Sequence, residues 1–269
     1  MCYDILIVGG GPAGLSAAIN GRVRGKTVLL LSSPMEDSPL WKAERVENYL
    51  GLPGVTGAEL LTAFRRHAEA SGAELRELRA LSAMPVGDRW YLSGEDQVFE
   101  GRALILAAGA VRGKPLPGGE RLLGRGVSYC ATCDGMLYRG RNVVVLGWTG
   151  SAEREADFLR GIGCAVRYYD RPQGVEILGE EAVTGVRVNG REEAADAVFL
   201  LRPAVAPAAL LPGLAMENGS VTVDRQMATN LPGVFAAGDC TGAPYQVAKA
   251  VGEGLIAGQS AAKWADRQG

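Results

Sequence analysis

The sequence predicts an α/β protein made of two dinucleotide-binding-type units, on three grounds. A short apolar strand runs into a glycine turn and a small-residue helix near the start of the chain. The same strand, turn and helix order recurs from Asn142, and a glycine- and proline-rich stretch, Gly113 to Gly119, lies between them. With 269 residues, each unit can bury its own core.

Composition narrows the function classes. The 28 basic and 30 acidic residues leave a net charge of −2, which offers no basic footprint for nucleic acid or an anionic membrane. The five cysteines, Cys2, Cys130, Cys133, Cys164 and Cys240, are odd in number and scattered apart from one pair. That is the pattern of a reducing compartment, not of a disulfide scaffold. The apolar start carries Asp4, lacks a basic segment and contains a glycine cluster, so it does not read as a signal peptide. Apolar runs elsewhere are too short or too broken by proline to span a bilayer. A soluble cytoplasmic protein is expected. His67 is the sole histidine, and its neighbours Arg65 and Arg66 mark an exposed helical face, so a triad built on imidazole is not expected.

Taken in order, Tyr3 to Val8 reads as a buried parallel strand. In the turn Gly9-Gly10-Gly11-Pro12-Ala13-Gly14, Gly9 permits the tight bend and Gly11 lets a pyrophosphate approach the backbone. Gly14 lets the next helix pack on the strand with its N-terminus toward the anion. Thr27 to Leu31 is the second strand, and the acidic residue that usually grips an adenosine ribose is missing from its end. Ser32 and Ser33 stand there instead, with Glu36 and Asp37 a few residues late. Residues 57–68 form an amphipathic pattern, Glu74 to Val98 reads as a strand meander, and Ala103 to Ala110 as a buried strand whose small end, including Gly109, permits close approach.

Cys130-Ala131-Thr132-Cys133-Asp134-Gly135 sets two thiols at C-x-x-C spacing with a carboxyl directly after them. Such a pair closes a redox disulfide or supplies half of a metal site, and a zinc site would need two further ligands that are not spaced with it. The second turn, Gly147-Trp148-Thr149-Gly150-Ser151-Ala152, is damaged. Thr149 occupies the close-approach position and Trp148 puts an indole in a loop that would otherwise expose backbone N–H groups. The following strand ends in Asp170-Arg171-Pro172, where Asp170 suits a ribose hydroxyl and repels a 2′-phosphate. A nucleotide-free scaffold is the competing reading of this unit. Further strands are expected at Val186 to Val188 and Ala197 to Leu201. Val234 to Ala237 then runs into Gly238-Asp239, a place for a carboxylate to hold a ribityl hydroxyl beside the helix that opens at Gln246 and Val247.

In combination, Gly9 to Gly14, Val46-Glu47-Asn48-Tyr49, Cys130 to Gly135, Val234 to Asp239 and Gln246 resemble the low-molecular-weight flavoprotein thioredoxin reductases over almost the whole chain. The resemblance implies a homodimer and an FAD domain of the Rossmann type, discontinuous over residues 1–114 and 216–269. Within it the glycine turn (with Pro12 and Ala13), Ser32, Ser33, Asn48, Gly109, Gly238, Asp239, Gln246 and Val247 meet the cofactor. Residues 115–215 are implied to form an inserted, shortened NAD(P)-type domain. Cys133 then faces the flavin, Cys130 attacks a partner disulfide and Asp134 serves as proton donor, a role left to a carboxyl where no histidine is at hand.

Departures from the family pattern concern the electron donor. Members that use NADPH carry an intact second turn, then a histidine and arginines that clasp the 2′-phosphate; here the corresponding residues are Asp170, Arg171 and Pro172. Charge-assisted hydrogen bonds contribute roughly 1.5–3 kcal/mol each, so losing two weakens binding by on the order of a hundredfold to ten-thousandfold. NADPH is therefore not expected as donor, and the resemblance points to the atypical branch, some members of which take electrons from ferredoxin. On the flavin side, Ser38-Pro39-Leu40-Trp41 replaces a glycine-glycine-glutamine segment and Tyr245 replaces an arginine. The expected activity is FAD-dependent dithiol/disulfide exchange with a thioredoxin-like protein. The alternative is a flavin-binding thiol sensor or interaction protein without steady turnover. In either case Trp148 is a candidate to fill the vacated nicotinamide pocket.

Overall fold

The computed structural model describes residues 2–94, 97–109, 116–119, 121–129, 131–148, 152–202 and 206–268, with Thr132 and Cys133 described by their backbone alone. Two units emerge, Met1–Val111 with Ala204–Gly269, and Arg112–Pro203.

In the first unit β1 (Cys2–Val8) leads into α1 (Pro12–Val23), β2 (Val28–Ser32), α2 (Gly57–Ala70), β3 (Glu74–Glu77), β4 (Ser82–Val86), β5 (Arg89–Ser93) and β6 (Val98–Leu106). β1 lies between β2 and β6, parallel to both, with Ile5 opposite Val28 and Ala103. Its apolar run is continuous because both faces are covered: Ile5, Leu6 and Ile7 are wholly buried. α2 begins with a capping box, in which the Thr56 hydroxyl accepts from the Glu59 amide and the Glu59 carboxylate accepts from the Thr56 amide at 2.9 Å. That backbone N–H holds the Glu59 carboxyl below its ordinary pKa.

The stretch expected as a meander divides. β3 pairs parallel with β2, Leu30 opposite Leu75, and extends the parallel sheet; antiparallel pairing in this sheet is confined to β4 with β5 and β5 with β6. Leu75 supplies the reason, packing on the core while Glu74 on the opposite face accepts a 2.7 Å bond from Tyr3.

The second unit contains β7 (Val127–Ser128), α3 (Ala131–Asp134), β8 (Asn142–Gly147), α4 (Ala152–Gly161), β9 (Ala165–Asp170), β10 (Val175–Leu178), β11 (Gly185–Val188), β12 (Arg191–Ala194) and β13 (Ala197–Leu201). A parallel sheet in the order β7-β13-β8-β9 is joined by an antiparallel sheet β10-β11-β12. The two-residue period of β8 decides what each face meets. Val143 and Val145 pack with Ala152, Ala156 and Leu159 of α4, whereas Val144 and Leu146 pack with Val175, Ile177, Val186 and Val188.

The chain returns through α5 (Pro207–Leu210), β14 (Met216–Glu217), β15 (Ser220–Val221), β16 (Val234–Ala236) and α6 (Val247–Arg267). β16 pairs with Leu104–Leu106 of β6, beyond the half of β6 that pairs with β5. α5 packs on β4 and β15 packs on the turn after β16, which draws this segment into the first unit. α6 lies along α1 on its small face: a Cβ at Gly254 or Gly258 would fall 2.2 Å or 2.6 Å from the carbonyl oxygens of Ala13 and Ala17. The whole is the expected α/β class with two Rossmann-type units. Among the described residues, no helix is long and apolar enough to cross a membrane.

Candidate functional site

The turn after β1 uses its three motif glycines in two different ways. Gly9 sits at φ +111°, and a Cβ there would lie 2.1 Å from the carbonyl oxygen of Ala107; a Cβ on Gly14 would lie 1.9 Å from that of Gly9. Packing demands both glycines. Gly11, at an ordinary φ of −80°, has nothing within 4 Å of its Cβ position. It is also the N-cap of α1, and no side chain caps the helix, which opens on Pro12. The backbone N–H groups of the first turn therefore have no side-chain cap, the arrangement that suits an anion.

Other expected cofactor residues gather around this turn. Ser32 is buried at the end of β2, its Cβ 2.6 Å from where a Cβ on Gly10 would be. Gly238, at φ +85°, abuts Ala13, with 2.8 Å between the Cβ positions. Asn48 donates to the Gln246 side-chain oxygen at 2.6 Å, which joins the loop before α2 to the start of α6. Gln246 is the N-cap of α6 without a side-chain capping bond, and Val247 follows as the first helical residue. Ser33 is half-buried, and Gly109 sits at φ +73° with nothing near its Cβ position among the described residues.

A cluster that sequence reasoning missed underlies the Gly238-Asp239 turn. The Lys249 ammonium donates to the Gly238 carbonyl at 2.9 Å, the Thr241 hydroxyl at 2.9 Å and the Glu253 carboxylate at 3.0 Å. Glu253 in turn accepts from the Gly238 amide at 2.8 Å and from Thr241 at 2.9 Å. The available signal was a Lys and a Glu four residues apart on the helix that follows the Gly-Asp turn. Below the same turn Cys240 is buried against the carbonyls of Leu106 and Ala237, and burial pushes its thiol up to about 12.

In the second unit, Cys130 lies outside the described residues and Cys133 is placed by the backbone of α3. Asp134 ends that helix and accepts a 2.7 Å hydrogen bond from Ser128, a β7 residue only 2% exposed. Burial and then the Asp134 charge raise the Tyr138 hydroxyl. The Cys164 thiol sits under the same segment, 3.2 Å from the Tyr138 carbonyl, and is raised by burial.

The turn after β8 is built differently from the first. A Cβ on Gly147 would meet Ala152 at 2.6 Å and the Tyr168 hydroxyl at 2.7 Å. Trp148 is half-buried; it packs on the core cluster shared with Tyr129 and Tyr169 and lies under the Arg202 guanidinium, 4.9 Å from the ring centre. Thr149 lies outside the described residues. Asp170 and Arg171 are exposed, with Arg171 at φ +43°.

Residues 3–182 and 171–254 match the family model for pyridine nucleotide-disulphide oxidoreductases. The chain belongs to that family. Within this oxidoreductase family, the thioredoxin reductase of Listeria innocua is 31% identical over 98% of this chain and 94% of its own. A ferredoxin-flavin thioredoxin reductase from Clostridium acetobutylicum, known from a crystal structure, is 39% identical, with 97% of each chain covered and a TM-score of 0.91. An atypical thioredoxin reductase from Desulfovibrio vulgaris Hildenborough is 31% identical over 98% of each chain, at a TM-score of 0.74. This pyridine nucleotide-disulphide oxidoreductase is a thioredoxin reductase-like flavoprotein.

Proposed function

We propose that the chain is an FAD-dependent dithiol/disulfide oxidoreductase whose donor is a reduced protein such as a ferredoxin, not NADPH, and whose acceptor is the disulfide of a thioredoxin-like protein. It acts as a cytoplasmic homodimer. Met1–Val111 with Ala204–Gly269 is the FAD unit and Arg112–Pro203 carries the redox pair. The empty Cβ position of Gly11, ahead of an uncapped helix N-terminus, fits the cofactor's pyrophosphate. Asp239 would hold the ribityl chain, and Ser32 or Ser33 the ribose. Bound FAD supplies two-electron transfer between the donor and the enzyme's cysteine pair.

The observation that carries the reading is Asp134, directly after the second thiol and fixed by the buried Ser128 hydroxyl. The Cys130 thiolate attacks one sulfur of the partner disulfide and forms a mixed disulfide, while Asp134 supplies a proton to the departing sulfur. Cys133 then attacks the Cys130 sulfur and releases the second partner thiol; the enzyme pair ends oxidised and the partner reduced. The donor reading is supported by the indole and guanidinium stacked at the second turn, and by ferredoxin in the name of the Clostridium relative.

Anaerobic mixing with NADPH, reduced ferredoxin and reduced thioredoxin in turn, followed at the flavin's visible absorption, tests it. Rapid bleaching by ferredoxin is expected. Bleaching by NADPH would overturn the donor assignment, and no response to any protein donor would favour the thiol sensor. Cys130→Ser is expected to retain FAD and lose all disulfide turnover; full turnover would remove the role given to Cys130.

A further inference from the structure

Lys249 is the third residue of α6, and Glu253 follows one turn later. A cation in the first turn of a helix opposes the helix dipole, and Lys before Glu at this spacing is the less favourable order. Local helix chemistry therefore gives no reason for the pair. Its side chains are only 16% and 18% exposed, and they turn toward the preceding turn. There they take both backbone groups of one residue: Glu253 accepts the Gly238 amide and Lys249 donates to the Gly238 carbonyl. Thr241 is held by the same two side chains, so both ends of the Gly238–Thr241 segment are fixed, with the left-handed Gly238 at one end. Departures from local rules are expected where a site is being shaped.

We propose that Lys249 and Glu253 are positioning residues for the flavin: acting through Gly238 and Thr241, and resting on the FAD reading above, they hold the Asp239 turn in its cofactor-receiving conformation. Without the clasp the receptive turn becomes one conformation among several, and apparent affinity falls by the fraction that remains competent.

The test is FAD dissociation from the purified holoprotein, read as released flavin fluorescence on dilution, with thermal unfolding measured at two FAD concentrations. Lys249→Met and Glu253→Gln are expected to weaken FAD by about tenfold to a hundredfold and to shrink the FAD-dependent rise in unfolding temperature. Lys249→Arg should recover part of the loss. Thr241→Val, which removes one hydroxyl, should weaken FAD about threefold to tenfold and decides the matter if the charge variants do not fold. Tyr3→Phe, which breaks the Tyr3–Glu74 bond elsewhere in the unit, should leave affinity unchanged. Variants that unfold earlier yet bind FAD as the parent does would reduce the clasp to a structural brace. A parent protein that holds no FAD would instead remove the cofactor assignment itself.

Discussion

The two glycine turns begin from the same order of strand, turn and helix, and their described residues meet different surroundings. In the first, Gly9 and Gly14 are locked by backbone contacts that admit no Cβ, and Gly11 between them faces open space. In the second, Gly147 is wedged between Ala152 and Tyr168, and the next residue is an indole packed on the unit's own core beneath Arg202. The contrast teaches that close-packed glycines preserve a turn's shape, whereas packing does not require Gly11, which lies ahead of a helix with no side-chain cap.

Gly14→Ala should break the contrast most severely. Its Cβ would sit 1.9 Å from the Gly9 carbonyl oxygen, so α1 must shift, at a cost of about 3 kcal/mol and all bound FAD. Thermal unfolding and visible absorption read both, and a variant that keeps its flavin would show that this packing does not set the turn. Gly11→Ala meets no atom within 4 Å among the described residues. It should leave unfolding almost unchanged while FAD affinity drops about tenfold to a hundredfold, measured by flavin release; equal affinity would mean that the open space is not the cofactor's.

Trp148→Ala sharpens the other side. Loss of a half-buried indole and its guanidinium contact should cost about 2 kcal/mol in denaturant unfolding without altering FAD content. A fall in bound flavin would show that the second turn serves the cofactor after all. The smallest effect concerns the thiols under the two segments. With Cys240 raised to about 12 by burial, its thiolate at pH 8 is about one part in ten thousand, and Cys164 is likewise raised by burial. Cys2 is raised by desolvation as well, but it alone of the three is exposed, so iodoacetamide should label it first, with Cys164 and Cys240 reacting only on unfolding, as mass spectrometry would register. The sign for stability follows: the native state favours the Cys240 thiol, so its contribution is complete below about pH 9 and declines as the pH rises toward 12.

Legibility in the sequence tracked how far each feature depends on distant residues. β1, the glycine turn and β8 could be read because continuous apolar runs beside glycine say both what is buried and where the chain bends. β3 could not: Glu74, Arg76 and Glu77 look like a solvated hairpin, and only the pairing of Leu75 with β2 makes the strand parallel. β12 is equally polar, yet Asn189-Gly190, both at positive φ, is a hairpin signal that could have revealed the β11–β12 pair. Within the site, Asn48 and Gln246 each stand out as cofactor residues, but their direct bond spans 198 residues and no local pattern encodes it. Lys249 and Glu253 were passed over because charges at helical spacing usually mark a solvated face.

The change of partner along β6 has a consequence for how the protein is made. β5 lines its first half as soon as it emerges, but the edge at Leu104, Ile105 and Leu106 must wait for Val234–Ala236, which lies beyond the entire second unit. At ordinary elongation rates that delay is on the order of ten seconds. During it, three apolar residues present an unpaired strand edge on the ribosome, a template for wrong partners, while the contiguous second unit can already close its sheets. The unit whose synthesis begins first is therefore completed last.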